Sequence, residues 1–205
     1  SLALLSTDQV VALTTAQVAS LTATQSAGLT SDQVTAFSTA QTRVLTTSAL
    51  NALDSAQMGA LETEDFAALT TAQIAGLDTE AVSLLSTDQV VALTTAQVKS
   101  LTSAQLNALD SDQMGAVETA DINALTTAQV ARLDTAIVAM LSTDQVVALN
   151  TAQMKALTST QLNALDSDQL AAVETADIAA LTTTQVAKLD TAILALLSTD
   201  QVVAM

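Results

Sequence analysis

Carboxylates are the only reactive side chains present in number. Asp and Glu total 21 against five Lys and Arg, the net charge is −16, and His and Cys are absent. This composition excludes a Cys/His zinc centre, a thiol nucleophile, a Ser-His-Asp triad and a disulfide. Paired carboxylates can still do acid–base work or hold calcium. Asp110-Ser111-Asp112 and Asp166-Ser167-Asp168 offer clustered oxygens of that kind. They lack the glycine turn and loop of calcium motifs, and capping of a helix explains both positions. The acids also recur in near-identical surroundings, which provides no unique pocket. The expectation is therefore no enzyme and no cofactor, with calcium as a lesser partner. Phosphate backbones and anionic bilayers repel such a chain, and no apolar run reaches the length of a membrane span. Neither nucleic-acid binding nor membrane insertion is expected.

The elements that carry these acids follow an eight-residue period. Stepping from Leu5 by eight passes through Leu13, Leu21, Leu29 and Phe37 and continues without a slip to Leu197 and Met205, making 25 octads. The first position is Leu in 22 of them, the sixth is apolar in 23, the third is Ser or Thr in all but one, and the fifth is usually Gln. The consensus is Leu-Thr-Thr-Ala-Gln-Val-x-Ala. A strand would place its apolar positions on both faces, and one continuous helix would let the Leu stripe drift by roughly 80° per octad. Something must restart the helix every eight residues.

The second and third positions do so, with the exact cap open between them; the second is the more telling in composition. It is Ser, Thr, Asp or Asn in 22 octads, and Gln or Asp usually follows three residues later. Thr94-Thr95-Ala96-Gln97 has the form of a capping box, in which hydroxyl and carboxamide satisfy each other's backbone N–H groups. Asp8, Asp88 and Asp144 fall in the first turn, where the helix dipole favours anions. Where the second position is Glu62, Glu118 or Glu174, the third position is the better candidate cap. Each octad is thus predicted to form its own short helix, too short to survive alone in water. Stacked on neighbours it becomes stable, so the fold class is all-α, a solenoid of short capped helices, one per 8-residue repeat.

A longer period is superposed. LSTDQVVA recurs at 85, 141 and 197, and blocks 85–140 and 141–196 agree at 45 of 56 positions. The chain reads as one continuous array over 1–205: a partial block 5–28, full blocks 29–84, 85–140 and 141–196, and the start of another at 197–205. A seven-octad block holds a whole number of coils if a coil contains 3.5 octads or 2.33. A coil of three to four helices is expected.

Two sets of residues depart from the consensus. In the seventh octad of each block the fifth position becomes Ala81, Ile137 and Ile193, and the eighth becomes Leu84, Met140 and Leu196. Leu84, Ile137, Met140, Ile193 and Leu196 form a candidate self-association stripe repeating every 56 residues, with a wider local core as the alternative. All five cations occupy two places in the block, Arg43, Lys99 and Lys155 in the second octad and Arg132 and Lys188 in the sixth, as a solvated face or a ladder among carboxylates.

The unit Leu93-Thr94-Thr95-Ala96-Gln97-Val98 and its relatives along nearly the whole chain resemble long octapeptide runs in very large bacterial surface proteins labelled haem-utilisation, adhesion or haemagglutinin-like. That resemblance implies a secreted stalk or filament. It does not imply a haem site, since no His, Tyr or Cys is present as a ligand. The expected function is the structural repeat region of an extracellular fibre, stalk or adhesin at the bacterial cell surface, a rigid scaffold that associates with itself. The alternative is a ligand-binding solenoid for calcium, polysaccharide or ice, the last suggested by the regular Thr pairs.

Overall fold

The computed structural model describes residues 2–205. After a 3-10 turn at Leu2–Leu4, 25 α-helices of four to six residues follow, from Thr7–Val11 to Thr199–Ala204, one in every octad. No strand occurs among the described residues. The helix restart is local. At junctions such as Leu101-Thr102, position one takes φ −60, ψ 139 and position two takes φ −73, ψ 158, after which the next helix begins. Both residues are extended, a conformation open to any L-residue, and no described residue has positive φ. The chain therefore turns every eight residues without Pro and with only four Gly.

The cap is the second position, not the third. Thr94 Oγ1 accepts from the Gln97 N–H, and the Gln97 side chain accepts in return from the Thr94 N–H. In the Glu octads the expectation of a cap at the third position is corrected. Glu62, Glu118 and Glu174 are the N-caps, make no side-chain cap hydrogen bond, and Thr63, Thr119 and Thr175 are already helical. Asp54, in the same place of its own octad, accepts from the Gln57 N–H at 2.8 Å.

The chain divides into two compact units, Ser1–Ala116 and Val117–Met205, with the boundary between octads. In each unit a helix packs against the helix three octads on. Thr71–Ala75 meets Thr95–Ser100 in the first unit, and Thr143–Ala148 meets Ser167–Ala172 in the second. The core is made by positions one and six, as with Leu85 and Val90 in the first unit and Leu141 and Val146 in the second, all nearly inaccessible to solvent. Positions two, three, four and seven are mostly exposed. Position five is the exception to polarity. Its Gln residues are as buried as the leucines from Gln33 onwards.

Candidate functional site

The recurring site is this buried carboxamide. Gln105 Oε1 accepts from the Thr102 N–H at 2.7 Å, closing its own helix N-terminus. Its Nε2 donates to Ile74 O at 2.8 Å and Leu77 O at 2.7 Å, carbonyls at the end of a helix one coil earlier. Both ends of one side chain thus satisfy groups that a helix terminus leaves open. The same bond to the carbonyl 28 residues back is made by Gln33, Gln41, Gln57, Gln73, Gln89, Gln97 and Gln113 in the first unit, at 2.5–2.9 Å. In the second unit Gln145, Gln153, Gln161, Gln169, Gln185 and Gln201 make it at 2.6–2.9 Å.

The spacing defines the coil. Twenty-eight residues are 28/8 = 3.5 octads. This selects the first of the two expected windings. Because of the half octad, position five of one coil lies over position one of the coil before, and helices are staggered like bricks. A block of seven octads makes two whole coils, 56 = 2 × 28.

The seventh octads lack the glutamine and replace half of its work. Ala81 and Ile193 leave the N–H groups of Asp78 and Asp190 without a carboxamide from their own helix. Asn51 Oδ1 accepts from Asp78 N at 3.1 Å and Asn51 Nδ2 donates to Gly76 O at 3.1 Å. In the second unit Asn163 makes the same pair, with Asp190 N at 3.0 Å and Lys188 O at 3.1 Å. An Asn in the third octad and an apolar residue in the seventh are therefore two parts of one clip. Ala81 does not fill the space that Ile193 occupies in the second unit. A surface cleft opens beside it, lined by Asn51, Asp54, Ser55, Glu80, Ala81 and Leu84.

The residues of the candidate stripe separate. Ile137 and Ile193 are 3% and 5% exposed, interior residues standing in the glutamine position. Leu84 is half-buried, while Met140 and Leu196 are exposed. Met140 and Leu196 lie two coils apart, and the corresponding residue of the coil between them is Asp168; one coil after Leu84 comes Asp112. Within each unit, an apolar residue at this place is followed one coil later by an acid.

Of the acidic pairs, Asp110 Oδ1 accepts from Gln113 N at 2.8 Å, and Asp166 Oδ1 from Asp168 N and Gln169 N at 2.9 and 2.8 Å. Capping is the work of the first Asp in each pair, and the second lies exposed in the first helical turn. Arg43, Lys99, Arg132, Lys155 and Lys188 all have exposed side chains. No helix is long and apolar enough to cross a membrane among the described residues. Many Thr hydroxyls of position two serve the caps, as at Thr126, which accepts from Gln129 N and donates to Gln129 Oε1.

The capping role of Gln was legible in the sequence; its second bond was not. A signal existed. A capping box accepts Glu as readily as Gln. This chain is rich in acids, yet position five is never Glu. Gln carries the donor that Glu lacks, and the bond to the coil before uses it; Asp65, Asp121 and Asp177, buried at the same position, carry no such donor.

Short capped helices stacked through buried side-chain bridges make this an all-helical repeat protein of the solenoid class. The model of the ALTTAQ repeat matches at residues 2–39, 26–63, 58–95, 91–119, 114–151, 146–173 and 170–205, and the chain belongs to that repeat family. No curated protein matches it.

Proposed function

We propose that the chain is a structural repeat region of an extracellular bacterial fibre, stalk or adhesin, acting as a rigid scaffold and not as an enzyme. The observation that carries this reading is the carboxamide ladder. Nearly every octad beyond the first coil in each unit places a buried amide or its asparagine substitute between successive coils, so extension must break several buried hydrogen bonds per coil. Such bonds are short-range and act in parallel, which favours resistance to stretching over binding of a particular ligand. The likeness of Leu93–Val98 and its relatives to runs in large bacterial surface proteins supports display outside the cell, and the absence of cysteine is compatible with it.

Stretching single molecules held by their two ends tests the scaffold. Resistance followed by release in steps of about one coil, or multiples of it, is the expected record. Twenty-eight residues correspond to roughly 95 Å of extended chain. A smooth, compliant extension at low force would defeat the reading.

A further inference from the structure

The cleft beside Ala81 gathers hydrogen-bond acceptors. It lies inside the first unit, with a full coil of that unit on either side. Where position five is Gln, its Nε2 stands on the carbonyl 28 residues back, as in Gln105 and Gln113. Ala81 supplies no such donor, and no hydrogen bond among the described residues reaches Leu53 O. Leu53 lines the cleft, which encloses about 430 Å³. Asp54 and Glu80 line it too, both with exposed side chains. Asp54 Oδ1 accepts from Gln57 N at 2.8 Å, while its second oxygen and both carboxylate oxygens of Glu80 accept nothing among the described residues. The Asn51 carboxamide is already engaged by Asp78 N and Gly76 O. No Lys or Arg lines the cleft among the described residues. Its remaining wall is apolar, made by Ala52, Ala81 and Leu84. The combination is particular to this place. At Ala49, the other alanine of position five, Thr22 and Ser48 stand where the cleft has Asp54 and Glu80. In the second unit Ile193 fills the position, and the residue before it is Ala192.

We propose that this cleft binds a primary alkylammonium group. An ammonium is a compact charge with three N–H donors at the tip of a flexible stem. One donor takes the place of the missing glutamine N–H on Leu53 O, and the others go to Asp54 and Glu80. The stem lies along Ala81 and Leu84, as the methylenes of lysine do on apolar surface. A calcium ion asks for about six to eight oxygens and would leave the apolar wall unused. A planar guanidinium needs its acceptors paired in one plane, whereas these come from two coils. The group is the same whether it belongs to a free amine or to a lysine of a partner protein. The inference goes beyond the scaffold reading, since it gives one place on the array a ligand of its own.

Titration of the full chain with n-butylammonium, followed through its backbone amides by nuclear magnetic resonance, tests the proposal. Physiological salt screens the general attraction of a cation to a chain of charge −16. Shifts confined to residues 51–55 and 78–84 are expected, with a Kd on the order of 1–10 mM. Ala81→Ile puts the residue of the second unit into the cleft and leaves both acids in place, and Glu80→Gln removes one charge from an exposed side chain. Each is expected to weaken binding about tenfold or more. Tetramethylammonium has the same charge and no N–H, and is expected to leave these residues unmoved. Shifts scattered over the acids of the whole chain, an equal response to tetramethylammonium, or undiminished binding by folded Ala81→Ile overturns the proposal. A Gly-Gly-Lys-Gly-Gly peptide assigns the source: binding as tight as butylammonium or tighter points to a partner's lysine, weaker binding to a free amine, and either supports the site. None of these results touches the stretching record of a single chain, so the two readings fail separately.

Discussion

Replacing Gln161 by Ile removes three hydrogen bonds at once: Thr158 N to Oε1 at 2.7 Å, and Nε2 to Val130 O at 2.8 Å and Leu133 O at 2.7 Å. At about 1 kcal/mol each the loss is about 3 kcal/mol. Burial of the new apolar side chain returns about 1 kcal/mol. Val130 O keeps its bond from Leu133 N, but Leu133 O is left without a donor among the described residues. The expected net destabilisation is about 2 kcal/mol. The protein itself contains the remedy, because Ile193 is tolerated where Asn163 lies 30 residues earlier. The equivalent partner of position 161 is Ala131, also 30 residues earlier and 27 before Thr158. Adding Ala131→Asn should therefore recover about 1 kcal/mol by giving the Thr158 N–H a new acceptor. Denaturant unfolding followed by far-UV circular dichroism measures both, since the chain has no Trp or Tyr to report by fluorescence. A single variant within about 0.5 kcal/mol of the wild type, or a double variant no better than the single, refutes the reasoning.

Ser26 occupies a sixth position, is 1% exposed, and its hydroxyl has no hydrogen-bond partner; Ser26→Val is expected to stabilise by about 1–2 kcal/mol, and a lowered melting temperature would contradict this. A Cβ on Gly76 would lie 2.5 Å from Thr47 Cγ2 in the coil below. Gly76→Ala should cost about 1–3 kcal/mol, and Thr47→Ser should relieve most of it; simple additivity of the two in a double-mutant cycle would exclude the contact as the cause. The second unit already pairs Lys188 with Ser159 at these two sites. Converting Glu174→Thr together with Asp177→Gln installs the missing cap and a donor above Leu149 O, with an expected gain of about 2 kcal/mol in the same unfolding assay, and a loss would show that the acidic octad has compensations of its own.

The helix per octad was readable because Ser, Thr, Asp and Asn at position two announce a start and the leucine period demands one. Ser86 and Thr94 act as that reading requires. The winding was narrowed to two choices by the odd number of octads in a block, and the decision needed a length between coils that no local pattern contains. The 28-residue bond of Gln105 supplies that length. Misplacement of the cap in the Glu octads came from treating Thr63 as equivalent to Thr94, although the backbone start is set by the extended pair at positions one and two whatever the cap. Asn51 and Asn163 were invisible as partners because each is an ordinary surface residue within its own octad. Their meaning lies 27 residues away, at the N–H groups of Asp78 and Asp190.

The asparagine clip bears on how such an array can grow. Loss or gain of any whole octad leaves every remaining glutamine above a leucine carbonyl, so the common bonds survive most recombination events. The clip is less forgiving, since Asn163 and Ile193 must arrive together, 30 positions apart. Only insertions and deletions of 56 residues preserve every such pair wherever the breakpoints fall. A gene lengthened by unequal crossing-over would then be filtered toward that unit, and the number of copies inherited would set the reach of the protein.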